Sequence, residues 1–221
     1  MKGIALHRNV FRALFLSTSI AILDQSTKLF VKGFSFPFLN LHHAGMELGS
    51  SIPLFRNILH ITYIENPGMA FGLEIGSQLI LALLSLLACI GVIYYLNKIR
   101  EESFLILAPM AMILGGAVGN LIDRSLYGVF FGYAPLFYGR VVDFVDVRFL
   151  HLSRFGIFNV ADAAVTTGIL WLILFHRSLV TVPKPLADPE TLQVVRKPEP
   201  RNPQVSADGT NAHNEMRDIT Q

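Results

Sequence analysis

SFLILAPMAMILGGAVGNLIDR, residues 103–124, runs from Ser103 to Ile122 without a charge, then sets Asp123 and Arg124 at one end, with Asn120 just before them. Crossing a bilayer takes about 20 mostly apolar residues, so this stretch reads as a transmembrane helix with a polar tip. Outward from it, Ile75 to Asn97 is a second such stretch, free of charge. Ala13 to Val31 and Phe155 to Phe175 are apolar too, but they carry Asp24, Lys28 and Asp162. The polar residues fall at the end of the first stretch (Asp24, Gln25, Lys28), the start of the second (Asn66), the end of the third (Asn120, Asp123, Arg124) and the start of the fourth (Asn159, Asp162). Four antiparallel spans convert that alternation into one polar site near one membrane surface. The expected fold is an all-α membrane protein with four transmembrane helices plus a small extracytoplasmic β element.

The composition agrees with a chain whose solvent is lipid. Apolar residues make up 52% and charged residues only 15%, with a mean hydropathy of +0.49, values that a water-facing surface does not tolerate. The net charge of +2 and the scattered basic residues give no footprint for a nucleic acid. Cys89, the single cysteine, lies in the middle of the second span and reads as a small buried hydrophobe. The first span runs on into Asp24 and Gln25 without a small-residue cleavage pattern, which predicts an uncleaved helix rather than a secretion signal.

Orientation follows from where Lys and Arg collect in short loops. Lys2, Arg8 and Arg12 precede the first span, Lys98 and Arg100 follow the second, and Arg177 and Lys184 follow the fourth. That places both termini in the cytoplasm, although Arg124, Arg140, Arg148 and Arg154 lie on the other side. Residues 1–182 then form a four-helix transmembrane domain with extracytoplasmic segments 34–74 and 124–157. Residues 183–221 hold six of the eleven prolines and no aromatic residue, which reads as a disordered cytoplasmic tail. Ile58–Ile64 and Val141–Val147 are rich in β-branched residues and read as short strands that bring Asn66 and Asp143 over the helices.

Carboxylates in or beside a span are costly to bury and are functional candidates by default. Each also has a plainer reading. Asp24 and Lys28 stand four apart, on one helix face, as an ion pair. Asp123 at a helix end invites pairing with an arginine, and Arg140 is near enough in sequence to pair with Asp143. Asp162 reads equally as the third residue of a helix capped by Asn159. Two carboxylates held close cannot both ionise cheaply, so they share a proton; one activates a water while the other donates to a substrate carbonyl. That chemistry needs no metal and no cofactor.

Five blocks, in order, resemble the bacterial lipoprotein signal peptidases (signal peptidase II): Asp24 to Lys28, Asn66 to Phe71, Gly115 to Arg124, Val141 to Phe144 and Phe158 to Asp162. The resemblance implies an aspartic endopeptidase of the inner membrane that removes signal peptides from diacylglyceryl-modified prolipoproteins, cutting before the lipidated cysteine, with its site near the outer face. Asp143 and Asp162 match the catalytic pair. Asn66, Asn120 and Asn159 would hold substrate backbone or orient a carboxylate, and Asp24, Lys28, Asp123 and Arg124 would frame the site. Gly116 would let its helix approach a neighbour or the substrate, and partners would be prolipoproteins and membrane lipid.

Two departures from the family pattern stand out. Pro67 follows Asn66 and removes an N–H there, and residues 128–139 lengthen the path from Asp123 to Asp143 with five aromatics. That segment reads either as an interfacial loop near the substrate entrance or as a self-packed surface loop. A proton-coupled transporter is the alternative function, but its carboxylates belong near mid-membrane rather than at one end. A serine–lysine protease built on Ser26 and Lys28 fails because residues two apart do not face each other. His42 and His43 are adjacent in a loop, which is poor metal-site geometry.

Overall fold

A computed structural model of the chain describes residues 2–56, 58–70, 73–74, 78–148 and 156–179. Four long helices dominate: α1 (Lys2–Lys32), α2 (Gln78–Lys98), α3 (Phe104–Ile122) and α5 (Val160–Leu179), with a single-turn helix α4 (Gly128–Phe130) after α3. α3 is the central helix and touches α1, α2 and α5. Its small residues permit this. A side chain on Gly115 would strike the Ser17 carbonyl and Ile20 of α1, and one on Gly116 would strike the Ala161 carbonyl and Val165 of α5.

α2 buries only Ala82 and Cys89, and presents Leu84, Leu87, Ile90 and Tyr94 outward. An apolar helix exposed over most of its surface suits lipid rather than water. By length and composition, Gln78–Lys98 and Phe104–Phe130 can each cross a membrane. The charges within α1, and the shorter apolar run Val160–Phe175 in α5, set those two helices apart.

Three strands form the main sheet, in the order β3 (Ser51–Phe55), β4 (Leu59–Asn66), β7 (Val141–Val147), all antiparallel. β3 is an exposed edge that carries Pro53, a position where the missing N–H costs no ladder bond. β4 and β7 pair Ile61 with Val145 and Ile64 with Asp143, so Thr62 and Tyr63 oppose Phe144 alone. This is a β-bulge. Two small hairpins, β1 (Phe34–Phe36) with β2 (Leu41–His43) and β5 (Met69–Ala70) with β6 (Leu73–Glu74), complete the described strands. Val31, Tyr63, Tyr127, Val142 and Phe144 form the core that seats the sheet on the helices.

Several sequence expectations need correction. The helix does not stop at Asp123: Asp123–Tyr127 form a π turn that runs on into α4, so the expected segment 124–157 begins as helix. Asn66 is the last residue of a strand rather than the start of the second helix, which begins at Gln78. α5 starts at Val160 rather than Phe155, and α1 begins well before Ala13. β7 matches its expected range, while β4 extends two residues further than expected. The 183–221 tail, Phe71 and Arg154 lie outside the described residues.

Candidate active site

Charge at the polar end of the bundle is arranged around Lys28. Its ammonium lies 2.8 Å from Asp24 Oδ2 and 2.7 Å from Asp123 Oδ2, all three side chains being fully buried, and it donates to Asn120 Oδ1 at 2.9 Å. Asp123 therefore pairs with a lysine of another helix and not with an arginine. Asp24 Oδ1 accepts the Ala161 N–H of α5 at 2.9 Å, and the Val142 N–H of β7 reaches Asp123 Oδ2 at 3.2 Å. Gln25 donates to Asp123 Oδ1 and the Gly119 carbonyl at 2.7 and 3.0 Å, and accepts from the Tyr127 hydroxyl at 3.0 Å. A side chain on Gly119 would lie 2.5 Å from Asp24 Oδ2; only glycine leaves room for this carboxylate. Buried charges persist when they are paired and fully hydrogen-bonded, as these are.

Three asparagines stand on this frame, each with its carbonyl oxygen fixed by a donor. Lys28 fixes Asn120. The Asp162 N–H donates to Asn159 Oδ1 at 2.9 Å, which makes Asn159 the cap of α5 with Asp162 as its third residue. The Gly68 N–H donates to Asn66 Oδ1 at 2.9 Å, and Gly68 adopts a φ of +117° that glycine accommodates. The N–H that Pro67 lacks is therefore not the one that orients Asn66.

With the oxygens fixed, every amide NH2 is aimed at a carboxylate or its linker. Asn159 donates to Asp143 Oδ1 at 2.6 Å, Asn66 to Asp143 Oδ2 at 3.2 Å and Asn120 to Asp162 Oδ1 at 2.8 Å. Asn159 also reaches Asn120 Oδ1 at 3.2 Å, so one amide chain joins the two aspartates. The backbone brings them together as well. Phe158 is zipped onto β7 by hydrogen bonds with Phe144 and Val145, which sets the start of α5 beside Asp143.

Asp143 is buried. Burial first, and repulsion from Asp162 second, push its carboxyl up to about 7, against the lowering effect of the Asn66 and Asn159 bonds and of Lys28. Arg140, expected beside Asp143, pairs instead with Glu65 at 3.6 Å. Arg124 sits where Asp123, Asp143 and Asp162 all act on it, and its buried Nε has no hydrogen-bond partner among the described residues.

The structure thus gathers Asp24, Lys28, Asn66, Asn120, Asp123, Arg124, Asp143, Asn159 and Asp162 at one place, with Gly116, about one turn before Asn120, as the α3–α5 contact against Ala161. Sequence reasoning placed Gln25 among the polar residues of the site but gave no role to Lys32, Glu65 or Tyr127. The four-residue step from Lys28 to Lys32 was a usable signal. No group of three or more metal-ligating side chains occurs among the described residues.

Residues 16–177 match the family model described as signal peptidase (SPase) II. The chain belongs to the signal peptidase II family. Lipoprotein signal peptidases of Halalkalibacterium halodurans and Pelodictyon phaeoclathratiforme are 37% and 36% identical, over 70% and 76% of this chain and 85% and 93% of theirs. A bacterial membrane enzyme solved by the in meso method at 2.3 Å resolution shares the fold, with a TM-score of 0.59 and 24% identity over 80% of this chain and 94% of that one. Members of the signal peptidase II family are aspartic proteases of membranes, and this chain is a protease that removes signal peptides from lipoproteins.

Proposed function

We propose that Asp143 and Asp162 are the catalytic pair, and that the substrate is a diacylglyceryl-modified prolipoprotein cut just before its lipidated cysteine. The observation that carries this reading is the amide chain Asp143–Asn159–Asn120–Asp162. It fixes one oxygen of each carboxylate as an acceptor and joins the two acids through neutral amides. Asp162 Oδ2 has no hydrogen-bond partner among the described residues and is the acceptor left for a water.

In the reaction, the ionised carboxylate takes a proton from that water as its oxygen attacks the scissile carbonyl. The protonated partner donates to the carbonyl oxygen, giving a neutral tetrahedral diol. The newly protonated carboxyl then gives its proton to the departing amine nitrogen while the other carboxylate takes the proton of a diol hydroxyl, so the C–N bond breaks, the carbonyl re-forms and the singly protonated pair is restored. Asn66 holds Asp143 from the strand side. The Lys28 cluster keeps the charge balance of the floor fixed while the dyad cycles.

The setting completes the proposal. Four spans, α1, α2, α3 and α5, cross the inner membrane with both termini and the 183–221 tail in the cytoplasm, and the site lies near the outer face. Residues 1–182 form the peptidase domain, with membrane lipid around it and no nucleic acid or metal required. The aromatic segment 128–139 lies near the substrate entrance.

Asp143→Asn and Asp162→Asn, each assayed with a lipidated prolipoprotein peptide, are expected to lose at least about 10³-fold in kcat while remaining folded. Near-normal cleavage by either variant would remove that residue from the pair.

A further inference from the structure

The reverse side of β4 carries a second charged assembly that the cleavage chemistry does not use. Tyr63 and Glu65, two apart on the strand, share a face, and the Tyr63 hydroxyl donates to Glu65 Oε1 at 2.7 Å. The ammonium of Lys32, in the last turn of α1, pairs with the same oxygen. Arg140, at the entry to β7, approaches Glu65 Oε2 at 3.6 Å. Lys32 also lies 4.4 Å above the Phe131 ring and 5.3 Å above the Tyr133 ring, and the Tyr133 hydroxyl accepts the Arg140 N–H at 2.9 Å.

Burial tends to raise the Glu65 carboxyl, but the bonds from Lys32 and Tyr63 outweigh it and hold it below the usual carboxylate range. It is an anion at working pH. The two nearest rings over Lys32 belong to residues 128–139, the aromatic segment, which therefore packs inward on a cation, and the Tyr63 ring lies 5.9 Å from it on the strand side.

The next residue along β4 is Asn66, which faces the other way and donates to Asp143 Oδ2. Pairing Ile64 with Asp143 puts Asn66 on the Asp143 face, and Glu65 pairs with Val142 behind it. We propose that Glu65 is a positioning residue: anchored by Lys32, Tyr63 and Arg140, it sets the height of β4 so that Asn66 meets Asp143, and the aromatic segment is the clamp that holds Lys32 in place. This rests on the reading of Asp143 as half of the catalytic pair.

The charges that act on Asp143 are Asp162 of α5, Lys28 of α1 and Arg124 of the π turn, and none of them belongs to the Glu65 assembly. Loosening Glu65 therefore reaches Asp143 through Asn66. The bond from Asn66 favours the ionised carboxylate. Its loss moves the alkaline limb of the kcat/KM profile upward.

The test is a double-mutant cycle on the full-length purified enzyme with a lipidated prolipoprotein peptide, reading kcat, KM and the pH profile. Glu65→Gln is expected to lower kcat roughly tenfold to a hundredfold, as small misplacements of a catalytic group do. KM should change less than twofold, and the alkaline limb should move upward as it does in Asn66→Ala. The pair Glu65→Gln with Asn66→Ala is expected to be no slower than Asn66→Ala alone, since residues acting through one bond are not additive. Lys32→Met gives the same pattern and replaces Glu65→Gln should that variant not purify folded.

Multiplying defects, or an unmoved limb in both Glu65→Gln and Lys32→Met, would overturn the positioning role while Asp143→Asn stays inactive. An active Asp143→Asn would bring down the catalytic reading, and this inference with it.

Discussion

Asparagine does at this site what a charged residue cannot. It presents a donor to a carboxylate without adding a charge, so the lowering effect of the Asn66 and Asn159 bonds on Asp143 stays smaller than the raising effect of burial and of Asp162. In the proposed pair, Asp143 and Asp162 would then hold one proton between them. Because Asp143 is raised to about 7, it binds its proton more tightly in the folded chain than in the unfolded one. Its contribution to stability is present below about pH 4, the ordinary carboxyl range, and is lost as the pH rises through about 7. The same ionisation removes the shared proton, so kcat/KM of the peptidase is expected to fall about tenfold per unit above the alkaline midpoint near 7, a value belonging to the pair. A profile flat from about pH 5 to 9 would remove the shared proton from the mechanism.

Elements rather than residues decide what the sequence could not show. Charge-free length made α2 and α3 legible, and β-branched runs made β4 and β7 legible. Partner choice was not legible, because Asp123 meets Lys28 and Glu65 meets Lys32 only after helices and strands have packed. Sequence neighbours such as Arg124 and Arg140 were misleading for that reason. The bulge at Thr62 and Tyr63 was equally hidden. Continuing the pairing of Ile61 with Val145 without it would put Glu65 on the face of Asp143, and the extra residue is what delivers Asn66 instead.

Lys28 is where the elements meet: it links α1 to the end of α3, and Asp24 carries the link on to α5. Lys28→Met would leave two buried carboxylates without their cation. Loss of one partner from a buried pair costs about 3–5 kcal/mol, so this variant is expected to unfold at markedly lower temperature in detergent, with Asp143→Asn as the folded comparison. An unchanged Tm would mean that the cluster contributes no net stability.

For the whole molecule the prediction concerns which way it faces. Cys89 is the single cysteine and is buried, so Cys89→Ser provides a background in which one new cysteine reports its own side. Asn40 and Glu101 are both exposed, the first in the hairpin β1–β2 region and the second between α2 and α3. In intact cells a membrane-impermeant maleimide is expected to label Asn40→Cys and to reach Glu101→Cys only after lysis. The reverse pattern would invert the proposed orientation. The two ends of the bundle differ in more than address. At one end, ion pairs and hydrogen bonds join α1, α3 and α5; toward the other, a cavity of about 290 Å³ lies among Val10, Leu96 and Leu107 of three helices, with Asn97 and Arg100 in its wall. A change in bilayer thickness is therefore expected to be taken up at the cavity end, while the ion-paired end of α1, α3 and α5 keeps its spacing across membranes of different lipid content.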